Sequence, residues 1–283
     1  MRSLVAWSLL VGLLASVCPA RGLGQTAALA RQRHPWGRFE PGAWKLVRVV
    51  AETFDEQGAL IGTTAYETKT TLQKVDDDGV TLLVETVVEI GGKRLDAEPQ
   101  VEKQGFRGEL PGQQVKVTDG GPATVTVEGR QYPAQIEQTE SIGPQTKTVT
   151  KTYYSTTVAP YALKSETITT DLQSGALLSQ TEWQVVSLNV VCRVLRESKS
   201  SAHVKLTRKH AKGTTTTLAV TSVDIPGGIV CHSAKEFDSS GRLLRRSTLE
   251  LVAYGVEPEE GRWGFWRRAR PGHRHRAYRP TGR

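Results

Sequence analysis

The chain has 283 residues, 38 % of them hydrophobic and 23 % charged, with three cysteines and a formal net charge of +8. That length supports one large domain or two smaller ones with a true core, and so few cysteines exclude a small disulfide-stapled scaffold. The charge excess is confined: residues 261–283 hold eight arginines and no Lys, Asp or Glu, and without them 29 basic side chains face 29 acidic ones.

The chain opens with Met1-Arg2-Ser3, an apolar run from Leu4 to Val17, and a break at Pro19. One positive charge, a short apolar stretch and small residues after it are the marks of a secretory leader, read here as residues 1–20. Cleavage after Ala20 is preferred to cleavage after Ala30. Lipid anchoring at Cys18 would need a small residue before it, and Val17 stands there. No later run approaches the roughly 20 apolar residues of a membrane helix, so the mature chain is expected to be exported, periplasmic or extracellular, and without a transmembrane segment.

Residues 21–43 mix Arg, His, Pro and Gly without a period and are read as a linker. From Trp44 the pattern becomes alternation. Val80, Leu82, Val84, Thr86, Val88 and Ile90 fall on one face of an extended strand, and threonine is dense at 68–71, 146–157 and 214–217. β-Branched side chains suit a pleated surface better than a helix. Asp55-Glu56-Gln57-Gly58, Asp76-Asp77-Asp78-Gly79, Ile90-Gly91-Gly92-Lys93 and Asp238-Ser239-Ser240-Gly241 separate these segments as turns. The acidic run at 76–78 is a hairpin tip, since a calcium loop needs further oxygen ligands at set spacing.

These turns expose an internal similarity. Phe54-Asp55-Glu56-Gln57-Gly58-Ala59-Leu60-Ile61 parallels Phe237 to Leu244, and Asp171 to Leu178 is a stretched third copy. Pro160 matches Pro226, and Gly175 matches Gly241, both at an offset of 66. The expected organisation is therefore an N-terminal meander (44–123), two copies of one β unit (124–189 and 190–256) and an Arg-rich disordered tail (257–283). The fold class is all-β: an antiparallel meander, half-barrel or sandwich built from hairpins, with little helix after the leader.

The Phe-Asp-x-x-Gly-x-Leu strings resemble the YD repeats of shell-forming secreted proteins. Those repeats follow one another closely, whereas the glycines here are 117 and 66 residues apart; only the hairpin chemistry carries over. The segment Tyr153 to Glu166, with its counterpart Asp224 to Val230, resembles corners in uncharacterised exported bacterial β-rich proteins. Such proteins are similar in architecture to the LolA-like half-barrel lipoprotein carriers. That resemblance implies a half-barrel and transfers no carrier residue.

Catalytic patterns are missing. There is no Gly-x-Ser-x-Gly elbow and no Gly-rich phosphate loop between strand and helix. His203 and His210 are seven apart and face opposite sides of a strand, as do the adjacent Cys231 and His232. Cys192 and Cys231 could pair in an oxidising compartment or stay separate thiols. No catalytic residue, cofactor or metal ligand is assigned. The candidate site is the tail, where Arg262, Trp263, Trp266, Arg267, Arg268, Arg270, Arg274 and Arg276 mix aromatic and planar cationic groups suited to anionic surfaces. Anionic lipid or envelope polysaccharide fits an exported protein, and nucleic acid does not; a solvated, disordered tail is the competing reading. The leading expectation is a non-enzymatic envelope scaffold that binds a ligand or partner at the sheet, in its sharper form a carrier with an apolar cavity for a hydrophobic ligand. The alternative is a hydrolase of unrecognised type acting on envelope polymers.

Overall fold

A computed structural model describes residues 30–109 and 113–257. The leader, the first part of the expected linker, and all eight candidate residues of the tail lie outside the described residues. Within them the chain forms fourteen strands in one antiparallel, unclosed sheet, with 71 % strand and 2 % helix.

The strands run β1 Trp44–Phe54, β2 Leu60–Asp76, β3 Gly79–Ile90, β4 Lys93–Asp96, β5 Gln100–Gly105, β6 Gln114–Val127 and β7 Arg130–Ile142. The second half continues with β8 Thr146–Tyr154, β9 Ala162–Asp171, β10 Leu177–Val194, β11 Glu197–His210, β12 Gly213–Thr221, β13 Ile229–Asp238 and β14 Leu243–Gly255. Apart from β5, which pairs β3 and neither of its own neighbours in sequence, successive strands are neighbours in the sheet, and one pairing is long-range. The first strand pairs the last, Val49 opposite Leu249 and Ala51 opposite Ser247. The sheet order is therefore β4-β3-β2-β1-β14 and on down to β6, with β5 also pairing β3.

The sheet curls. Val125 and Val127 of β6 share a buried cluster with Trp183, Val185 and Leu188 of β10, four strands away. Glu128, in the turn after β6, accepts hydrogen bonds from the Ser187 hydroxyl at 2.7 Å and the Leu188 N–H at 3.3 Å. Strand β10 slips register twice between Val185 and Val190, with two more residues than β11 over that stretch, and such bulges bend a strand.

The expected hairpins recur with one geometry. In the turn after β1, Asp55 Oδ1 accepts from the N–H groups of Gln57 and Ala59 at 2.9 and 2.8 Å. After β13, Asp238 Oδ1 accepts from Ser240 and Arg242 at 2.9 and 3.0 Å. Asp171 holds its longer turn through Gln173 and Ser174. The two proline corners also correspond: Ser155 N–H donates to Tyr161 O at 2.7 Å, and Ser222 N–H to Gly228 O at 2.8 Å. The boundary drawn at 123/124 falls inside β6, and that at 189/190 inside β10.

Residues 30–43 differ from the linker expected there. Residues 30–33 are helical, and Ala30, Arg33, His34 and Trp36 are all buried. The segment lies against the sheet and packs Trp36 with Leu72, Val80, Leu82 and Phe106. An aperiodic stretch has no face to read, yet Trp36 carries enough apolar surface to anchor it.

Candidate functional site

Pairing register separates the two faces. Beginning at β3, one face carries Leu82, Leu72, Lys45, Val49, Leu249, His232 and Val204, then Trp183, Ser165, Thr152 and Glu137. All of these but Leu249 are buried. The other face carries charged groups: Lys164 bridges Glu166 at 2.8 Å and Glu182 at 3.6 Å. Among the described residues no helix is long and apolar enough to cross a membrane.

The inner face is lined by hydroxyls as well as by hydrocarbon. Across β8 and β9, Thr148 meets Thr169 at 3.3 Å, Thr150 meets Thr167 at 3.1 Å, and Thr152 meets Ser165 at 3.3 Å, hydroxyl to hydroxyl. The row continues on β10 with Ser179 and Thr181, both buried. Alternating threonines in the sequence thus supply this polar wall.

On β11 to β14 and β1 the corresponding row is Leu206, Thr217, Ala234, Ser247 and Ala51, cross-strand neighbours throughout. Four small residues in line leave room, and a recess of about 440 Å³ opens there. Thr217 and His232 form its floor; Arg208, Glu236 and Arg245 form the next row outward, with His210 and Lys212 beyond. Thr217 Oγ1 and His232 Nε2 are buried without a hydrogen-bond partner. Burial, with the charge of Lys45 second, lowers the His232 pKa to about 4, so the ring is neutral at physiological pH. An unsatisfied buried polar group costs about 1–3 kcal/mol. A ligand carrying hydroxyl or anionic groups could remove that penalty.

Further charge is buried on the inner face where residues 30–43 pack against it. Lys45 Nζ lies 3.4 Å from Gly227 O and 5.6 Å from the centre of the Trp36 ring, and burial lowers its pKa to about 8. The Arg33 guanidinium stacks 4.9 Å over Tyr154. Glu137 is 2 % exposed, with Arg107 Nε 3.7 Å from its Oε1 and the Thr139 hydroxyl donating to it at 3.4 Å. Burial dominates and pushes its pKa up to about 8, against the opposing pull of Arg107.

The histidines fall as alternation requires, with His232 buried and Cys231 half-buried on the opposite face. Cys192 and Cys231 are both free thiols. Among the described residues no cluster of three His, Cys, Asp or Glu could hold a metal. The recess residues carried no sequence motif; Thr217, His232 and Arg245 are brought together by pairing alone.

No family model matches the chain, and no curated protein matches it. Two solved structures bear some likeness. One is a “putative lipoprotein” from Parabacteroides distasonis, 10 % identical, with a TM-score of 0.28 over 76 % of this chain and 97 % of that one. The other is a “putative exported protein with YmcC-like fold” from Bacteroides fragilis, 8 % identical, with a TM-score of 0.30 over 77 % of this chain and 97 % of that one. Likenesses this slight say nothing of the recess, whose chemistry rests on this chain's own residues.

Proposed function

We propose that the protein is an exported, non-enzymatic binding scaffold whose recess takes an anionic, hydroxyl-bearing ligand of the kind an acidic envelope polysaccharide presents. One observation carries this reading: two buried, unpartnered polar atoms, Thr217 Oγ1 and His232 Nε2, lie beneath a row containing Arg208 and Arg245. Arginine provides planar donors that suit carboxylate or sulfate. The unmet Thr217 hydroxyl in the recess favours a ligand with hydroxyls over the hydrophobic ligand of a LolA-like carrier. Within the recess, Glu236 and His232 are four residues apart on one strand, about 13 Å along it, too far to act as an acid–histidine pair.

The test is titration calorimetry with polygalacturonate as an acidic probe and dextran as a neutral one. Wild type should bind the acidic probe more tightly, and Arg208→Gln should weaken that binding at least tenfold. Equal affinity for the two probes, or an unaffected Arg208→Gln, overturns the proposal. The basic tail, in this reading, adds attraction to anionic surfaces. A chain ending at Glu260 should then bind anionic vesicles less well at low salt than the full chain does.

A further inference from the structure

The two ends of the strands differ in kind. At the recess end, the hairpin turns β1/β2, β3/β4 and β9/β10 carry Leu60, Ile61, Ile90, Leu95, Leu172 and Leu177, between 45 and 63 % exposed. The β13/β14 turn at the same end adds the half-exposed Leu243 and Leu244. At the opposite end the turns carry Asp77, Asp78, Glu128, Arg130, Arg196 and Asp224, and the exposed aliphatics there, Val191, Leu195 and Val256, belong to none of the repeated hairpins. All three repeated Asp-Gly-Leu hairpins therefore point the same way, each with an aliphatic pair just past its glycine.

We infer that this rim is a membrane-docking surface that seats the mouth of the recess against the headgroup–acyl boundary of a lipid bilayer. Adjacent residues of a strand project to opposite sides, so Leu60 and Ile61 make both sides of their hairpin apolar, as Leu177 and Leu178 do for theirs. A protein partner lying on one side of a tip leaves the other side wet, whereas a bilayer interface surrounds it. Lys93, Lys209 and Lys212 sit at the same end, at the level where long cationic side chains meet lipid phosphates. The acids that open the turns are held by their own backbone N–H groups, which lowers their cost at the interface. Charged residues on the outer strand face exclude deeper burial along β8 to β10.

The inference rests on the exposed hairpins and not on the ligand reading of the recess. Full-length protein is sedimented with phosphatidylethanolamine/phosphatidylglycerol vesicles, beside a variant carrying Leu60→Ser, Ile61→Ser, Leu172→Ser and Leu177→Ser. The variant's partition should fall at least tenfold with an unchanged circular dichroism spectrum, while Arg208→Gln partitions as wild type. In a second arm, Ile61→Trp should shift its emission to the blue on vesicles and be quenched by brominated lipid. Partition of the Ser variant within twofold of wild type overturns the inference. So does a rim variant whose oligomeric state changes without vesicles, or an Ile61→Trp emission indifferent to lipid.

Discussion

Replacing Lys45 with methionine should stabilise the protein, although Lys45 is among its most buried polar residues. Burial lowers the Lys45 pKa from 10.5 to about 8, and each unit corresponds to about 1.4 kcal/mol, so a charged Lys45 costs the fold on the order of 3 kcal/mol at neutral pH. The long contact with Gly227 O and the stacking over Trp36 return about 1 kcal/mol, leaving about 2 kcal/mol for Lys45→Met to recover. Methionine can follow the lysine stem without a polar head. Because the folded pKa lies below the unfolded one, the penalty is complete below pH 8 and fades as pH rises toward 10.5. Urea denaturation at pH 7 and pH 10 tests both the size and the sign: the variant's advantage should be about 2 kcal/mol at pH 7 and should shrink at pH 10. A variant less stable than wild type at pH 7, or an advantage that grows with pH, would refute the reasoning.

Two further outcomes follow from the interior. His34 and His232 are both held near a pKa of 4 by burial, so each contributes stability that is present above pH 6.5 and lost as pH falls toward 4. Urea midpoints measured at pH 7 and pH 4.5 should therefore fall less steeply in His232→Gln than in wild type; identical slopes would count against a buried neutral ring. At Gly213, with φ of 147°, an added Cβ would run into the Phe237 carbonyl and lie 2.8 Å from Asp238 Cα, whereas at Gly58 it would meet nothing within 4 Å. Gly213→Ala should cost about 3 kcal/mol or more, and Gly58→Ala about 1 kcal/mol, read as thermal midpoints; a milder effect at Gly213 than at Gly58 would contradict the register of β12 and β13.

Much of the sheet was legible because its signals are local. Val80 to Ile90 forms β3, Thr146 to Tyr154 forms β8, and the Asp-opened turns sit where glycine follows. What escaped depends on contacts distant in sequence. Pairing of Val49 with Leu249 spans the whole body, and no pattern within β1 names its partner. Residues 30–43 lacked a period, so their burial could be found only through Trp36 meeting Leu72 and Leu82. The matched prolines and glycines suggested units cut at 123/124 and 189/190, but chain similarity marks corners better than strand ends, and both cuts divide a strand. A carrier calls for an apolar cavity; the alternating threonines signal strand in the sequence, and only the pairing shows that their hydroxyls turn inward.

Those hydroxyls also explain why the recess lies where it does. On β8 and β9 each inward hydroxyl meets another directly across the strands, Thr150 with Thr167 and Thr152 with Ser165, so that wall is satisfied without help. On β12 and β13 the same register sets Thr217 beside Ala234, with Ser247 beyond it. Alanine offers no oxygen, and Thr217 Oγ1 is left without a partner. One substitution in the pattern, small and apolar where its counterparts are hydroxylic, both opens space and removes a hydrogen bond. Space and an unmet polar group in one place are what a polar ligand requires, and two arginines against one glutamate in the row above them favour an anionic one.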